Sequence, residues 1–165
     1  ELLKLLAPFR ANVTVIRKNP APMAGAEVTL GFDQLDTELP KADLVILAAA
    51  LTDETRQLFD AKKFGLMQPT AYLVNIARGP MVHTADLIEA LNNGVIAGAA
   101  VDVTDPEPLP DGHPLWQAKN IIITPHTADT RKQVVRLFSD RIRENVRAYG
   151  QGKPMVGVVD PKLGY

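Results

Sequence analysis

Five short apolar runs punctuate the chain, at 13–16, 44–50, 71–77, 95–101 and 121–124. Each is almost continuously apolar rather than alternating, which is how a strand reads when helices cover both faces of its sheet. The stretches between them carry apolar residues at helical spacing and predict helices over 1–9, 33–40, 53–67, 84–93 and 130–149. Thr84 stands where a side-chain cap would start the fourth helix, with Asp86 in its first turn near the positive end of the helix dipole. Strand–helix alternation implies a parallel sheet with right-handed crossovers, the doubly wound α/β class.

The last helix is the longest. Val135, Phe138, Ile142, Val146 and Tyr149 recur at helical spacing and predict one buried stripe, which Gly150 and Gly152 end. The tail, 153–165, is rich in Pro and Gly and too short for a domain, so it is expected to pack on something beyond this chain. Four prolines and no helical pattern mark 104–120 as a long functional loop.

Bulk composition narrows the function. The 165 residues suffice for one sizeable core. A net charge of −1 offers no general attraction to nucleic acid or anionic lipid, so any anion site must be local. Without cysteine there is neither a disulfide framework nor thiolate chemistry. No signal peptide or long apolar span is visible, which makes the cytoplasm the default compartment. The opening Glu-Leu-Leu-Lys-Leu-Leu is already helical in pattern, without an initiator Met or a cap, as expected of a fragment.

In an open parallel sheet, ligands bind beyond the carboxyl ends of the strands. The residues just past those ends are Arg17 and Lys18, Ala50 to Thr52, Arg78 and Gly79, Asp102, and Pro125 and His126. They form a charged rim on an apolar sheet. An anion binder, an imidazole and carboxylates are the parts needed for acid–base work on a small anionic substrate.

Three strings lie in that rim: LVNIARGPMV at 73–82, GAAVDVTDPEPLP at 98–110 and ITPHTA at 123–128. In order and spacing they resemble the signatures of the D-isomer-specific 2-hydroxyacid dehydrogenases. The resemblance runs over essentially the whole chain. The wording DVTDPEPLP followed by HPL is most similar to the glyoxylate/hydroxypyruvate reductase branch. The resemblance implies two Rossmann-like domains, with the cofactor domain inserted into the substrate domain. On that reading, 1–129 is a partial dinucleotide-binding domain, and 130–165 is a return helix and tail leading to a mostly absent substrate domain. The family's first strand and Gly-rich loop would precede Glu1.

The resemblance also implies roles. Arg78 matches the catalytic arginine, whose planar fork suits a carboxylate and the adjacent carbonyl oxygen. An isolated Arg-Gly after a strand would read as a surface arginine; the surrounding string reverses that. His126 matches the proton donor for the alkoxide formed when hydride adds to a 2-oxo acid. Glu107 matches its carboxylate partner, expected to favour the charged imidazole, with Asp105 a nearby competitor. Asp102 matches an acceptor for the nicotinamide carboxamide, against the plainer reading of a helix cap. Ala50, Thr55, Ile76 and Ala128 match positions lining the cofactor cleft. His83 and His113 are expected to be structural or solvated.

Enzymes that use NAD usually place an acid after the second strand to hold the ribose hydroxyls. Here that strand ends in Arg17 and Lys18, which would attract a 2′-phosphate. NADP(H) is therefore expected to be preferred, with NAD(H) possible and a solvated basic turn the plainer reading. Two departures from the family pattern stand out. The Gly-rich loop that lets backbone approach a pyrophosphate is absent, so the chain alone is expected to be inactive. After 44–47 the chain reads Ala-Ala-Ala-Leu-Thr, where many members have His and Pro; the reductase branch also lacks them. The expected substrates are glyoxylate and hydroxypyruvate, with phosphoglycerate and lactate-like acids open, and a homodimer is the expected assembly. A different class remains: a dinucleotide-sensing regulator of the corepressor type on the same fold. The arginines of the last helix alternate with Asp140 and Glu144 and read as a solvated face, not a nucleic-acid surface.

Overall fold

The computed structural model describes residues 1–128 and 131–160, apart from the Gln133 side chain. The expected helix start at 130, the 129/130 boundary and the end of the tail, 161–165, fall outside the described residues. In chain order the regular elements are α1 (Leu2–Leu6), β1 (Thr14–Ile16), β2 (Val28–Leu30), α2 (Leu35–Glu38), β3 (Leu44–Leu47), α3 (Ala61–Leu66), β4 (Tyr72–Asn75), α4 (Thr84–Asn92), β5 (Gly98–Val101), β6 (Ile121–Ile123) and α5 (Arg131–Gly150). Every strand pairing is parallel. One sheet runs β3-β4-β5-β6, and β1 pairs with β2 separately. This is the Rossmann-like α/β architecture expected from the apolar runs. Among the described residues, β1 and β3 each end their sheet with an edge that has no strand partner.

The strands are shorter than the apolar runs because the ends of those runs form turns instead of ladder. After β4, the Ala77 N–H bonds to the Asn75 side chain rather than to a neighbouring strand. The β2 strand was not foreseen: three residues between glycine-containing turns give too short a pattern to read.

The expected helix over 53–67 is confined to Ala61–Leu66. The Thr55 hydroxyl accepts from Thr52 N and donates to Ala50 O, both at 2.8 Å, and so closes a turn that competes with helix. Gln57 then adopts a left-handed φ of 51°, and Phe59 bridges to Val82. Asp60 starts α3 by accepting from Lys63 N at 2.9 Å. The stretch 33–40 is likewise composite: a 3-10 turn, the short α2, and a second 3-10 turn at Leu39–Lys41 whose first turn contains Pro40. The expected helix over 1–9 is α1 followed by a 3-10 turn at Ala7–Phe9. Thr84 does not cap α4. His83 is the cap residue, without a side-chain cap bond, and the Thr84 hydroxyl donates instead to Asp105 O at 2.7 Å.

The sheet has one covered face. Leu47, Leu73, Ala99 and Val101 share it and pack with Phe64, Leu87 and Leu91 from α3 and α4. Phe59 and Phe64 sit in this core with ring centroids 6.1 Å apart and planes tilted by 58°. Each fully buried side chain of this size stabilises the fold by roughly 1.5–3 kcal/mol. The opposite face presents Leu44, Tyr72 and Ile122, all exposed. The expected buried stripe of α5 is also uncovered: Val135, Phe138, Ile142, Val146 and Tyr149 are all exposed. Amphipathic spacing marks a face that wants a partner, and no described residue supplies one that buries it. The tail does fold back, since the Asn145 carboxamide donates to Val156 O and accepts from Val156 N. The accessible surface is 11299 Å², against ~8,000 Å² for a compact chain of this mass.

Candidate active site

The carboxyl edge of the four-stranded sheet gathers the rim residues that follow β3 to β6, and the chain builds each one's position locally. At the end of β4, Asn75 is buried, although it closes an otherwise apolar strand. Its Oδ1 accepts from Ala77 N and its Nδ2 donates to Arg78 O, each at 3.0 Å. Arg78 emerges extended (φ −148°, ψ 143°) with its side chain exposed and one guanidinium nitrogen donating to Ala77 O at 2.6 Å. Gly79 follows because nothing larger fits: a Cβ there would lie 1.9 Å from the Thr104 carbonyl oxygen. That close approach seats the loop after β5 directly on the arginine turn.

The same loop carries Glu107. Thr104 is buried; its hydroxyl donates to Pro106 O at 2.8 Å, and Thr84 holds the neighbouring Asp105 carbonyl from α4. Glu107 Oε1 lies 2.5 Å from His126 Nδ1. The His126 hydrogen bond holds the Glu107 carboxyl below the usual carboxylate range against its partial burial, helped by the Thr104 amide and the charges of His126 and Arg78. Glu107 therefore pairs with His126 and also feels the charge of Arg78. Asp105, the competing carboxylate, contributes its backbone rather than its side chain.

His126 has a left-handed backbone (φ 54°), unusual for a residue with a Cβ. The cause is Asp102, buried at the end of β5. Its Oδ1 accepts from the Thr124 hydroxyl at 2.5 Å and Thr127 N at 3.0 Å, and its Oδ2 accepts from Ala128 N at 2.9 Å. The carboxylate thus gathers donors from both sides of His126. Burial would raise the Asp102 pKa, but the Thr124 hydroxyl and the Thr127 and Ala128 amides outweigh it and hold the carboxyl below its ordinary value. About four lone-pair positions exist on a carboxylate. Three are taken, which leaves one for a ligand.

Of the other expected cofactor residues, Ala50, Thr55, Ile76 and Ala128 follow strands of the four-stranded sheet, whereas Arg17 and Lys18 follow β1 of the two-stranded one. Ala50 and Ile76 are exposed just past β3 and β4. Thr55 is buried and spends its hydroxyl on the Ala50 and Thr52 backbone, so it shapes the rim rather than reaching into solvent. Ala128 offers its amide to Asp102. At the end of β1, Arg17 is exposed, whereas Lys18 Nζ is engaged by Glu54 at 3.0 Å. Of the remaining histidines, His113 Nδ1 accepts from Leu115 N and starts a 3-10 turn. The ring of His83 lies 2.9 Å from Asp86. Asn75 and Thr104 were not singled out from sequence; the available signal was a polar residue closing an apolar strand.

An exposed cation past one strand, an apolar ledge past two others and a buried carboxylate with a spare lone pair fit a dinucleotide, and the fold is that of a nicotinamide-dinucleotide-binding domain. The chain belongs to the D-isomer specific 2-hydroxyacid dehydrogenase family, whose NAD binding domain matches residues 1–128. A glyoxylate reductase from Thermofilum pendens is 39% identical over 132 residues, covering 80% of this chain and 39% of that protein. The crystal structure of a D-isomer specific 2-hydroxyacid dehydrogenase from Xanthobacter autotrophicus, in complex with NADPH and MES, superposes with a TM-score of 0.89 at 37% identity. It covers 97% of this chain and 65% of that one. An NADPH-dependent glyoxylate/hydroxypyruvate reductase from Sinorhizobium meliloti, solved with NADP and sulfate, gives a TM-score of 0.89 at 27% identity over 99% of this chain and 52% of that one. The chain spans between 39% and 54% of the length of curated relatives it matches. No described helix is long and apolar enough to cross a membrane.

Proposed function

We propose that this chain is the cofactor-binding part of an NADPH-preferring reductase that converts small 2-oxo acids of the glyoxylate and hydroxypyruvate class to 2-hydroxy acids. The observation that carries the reading is the Glu107–His126 pair at 2.5 Å, with the exposed Arg78 after the neighbouring strand, all past the carboxyl ends of one parallel sheet. Arg78 binds the substrate carboxylate and polarises the adjacent carbonyl oxygen. The hydride comes from the reduced nicotinamide when it is bound. His126 gives a proton to the alkoxide oxygen, and Glu107 favours the imidazolium that does so. Asp102 keeps the His126 loop in place and has one acceptor position left for the carboxamide. Arg17, with Lys18 released from Glu54, meets the 2′-phosphate, and Ala50, Ile76 and Ala128 line the cleft that Thr55 shapes.

Three observations support a longer working protein. The unpartnered edges of β1 and β3 suit an additional parallel strand bearing a Gly-rich turn. The exposed stripe of α5 and the open sheet face suit a substrate domain beyond 130 and the second subunit of a homodimer. The relatives are about twice as long. The test is NADPH oxidation by the full-length protein with glyoxylate and hydroxypyruvate. Both should be reduced, and His126→Ala should lower kcat by about 10²–10⁴-fold. A protein that binds NADPH and reduces neither would be a dinucleotide sensor and would end the reductase reading.

A further inference from the structure

We propose that Asn75 is a positioning residue that aims Arg78, acting through the Ala77 N–H and the Arg78 carbonyl that it holds. The inference rests on the reading of Arg78 as the carboxylate binder. An amide buried to this depth costs several kcal/mol unless its polar atoms are matched. Asn75 is 1% exposed, and it spends its carboxamide on the arginine turn rather than on the sheet.

Its acceptor takes the Ala77 N–H and its donor takes the Arg78 carbonyl, closing a ring over residues 75–78. Drawing the Arg78 carbonyl inward leaves that residue extended, with its side chain on the solvent side of the sheet edge. Behind it, Gly79 packs so closely on the Thr104 backbone that a Cβ there would lie 1.9 Å from the carbonyl oxygen. The guanidinium itself donates to Ala77 O, so Asn75 fixes both the backbone from which Arg78 projects and the residue on whose carbonyl its guanidinium rests.

The geometry selects asparagine. It needs one acceptor and one donor on a short, planar group. An ionised aspartate keeps the acceptor for Ala77 but turns a second oxygen on the Arg78 carbonyl, which repels it. Leucine fills the space but leaves a buried N–H and C=O unmatched. Serine supplies both functions on a shorter arm.

The test is a double-mutant cycle in the full-length protein, with Asn75→Asp and Arg78→Ala singly and together. Glyoxylate and NADPH kinetics are read for each, and thermal unfolding confirms the fold. Asn75→Asp should lower kcat/KM for glyoxylate by about 10–100-fold, as misplacing a substrate-orienting group does. Its KM for NADPH should change less than about threefold. In the Arg78→Ala background the same substitution should change kcat/KM less than about twofold, because its effect has no guanidinium left to act through. A merely structural asparagine would weaken both enzymes equally and loosen NADPH in parallel; either result overturns the inference. Should Asn75→Asp fail to fold, Asn75→Ser goes through the same cycle and is read by the same criteria. An unaltered protein that binds NADPH but reduces no 2-oxo acid sinks the functional reading and this inference together. An active one with multiplicative effects sinks this inference alone.

Discussion

Replacing Asp102 by asparagine puts a donor where the structure offers only donors. Oδ1 holds the Thr124 hydroxyl and Thr127 N, and Oδ2 holds Ala128 N. Whichever way the carboxamide turns, its NH₂ faces at least one amide N–H. One charge-assisted bond is lost and a buried N–H is left unmatched, which together cost about 3 kcal/mol. That is a large share of the ~5–15 kcal/mol by which a domain is stable. With an m-value of about 2 kcal/mol/M, the urea midpoint should fall by roughly 1.5 M. The loss should also depend on pH. Asp102 titrates lower in the folded chain than its ordinary value, so the stability it adds is complete above about pH 4, near its unfolded pKa. That contribution is lost as pH falls through the folded value. The gap between the native chain and Asp102→Asn should be constant from about pH 5 to 7 and close in stronger acid. A gap below about 1 kcal/mol at pH 7, or one that persists undiminished in acid, would refute the assignment of Asp102 as the clamp on the His126 loop.

Further outcomes follow from the same geometry. Gly79→Ala should destabilise the chain by more than about 2 kcal/mol in urea unfolding, because its Cβ would meet backbone at 1.9 Å rather than a side chain that can swing away. Asp60→Ala removes the cap of α3 and should cost about 1 kcal/mol by the same assay. In the full-length protein, Arg17→Glu should shift the kcat/KM ratio from NADPH towards NADH by about tenfold or more; an unchanged ratio would place the 2′-phosphate elsewhere. Isothermal titration of residues 1–165 with NADPH should detect no binding tighter than millimolar, since these residues contain no G-x-G-x-x-G run of the kind that brings backbone up to a pyrophosphate.

The fold class was legible because five unbroken apolar runs alternate with helical spacing, although the expected cover on both faces is found on only one face of the four-stranded sheet among the described residues. Their ends were not legible. Apolar residues 48–50 and 76–77 look like strand, yet Thr55 and Asn75 capture the backbone there with their side chains. The same competition removed half of the helix expected over 53–67. The reach of α5 could be read from its period, but its burial could not. A hydrophobic stripe states that a partner is wanted and is silent on whether these residues contain it.

What the order of residues determined alone is the set of chemical groups at the strand ends: a guanidinium after one strand, a carboxylate loop after the next, an imidazole after the last. Period and position in an α/β alternation bring those to one edge whatever the details. Only the tertiary structure decided how they are held. Gly79 lies 25 residues from the carbonyl it presses against, and Asp102 lies 25 and 26 residues from the amides it binds. Contacts so distant in sequence have no local signature, because closing them depends on the packing of the whole sheet rather than on the preferences of the residues that meet.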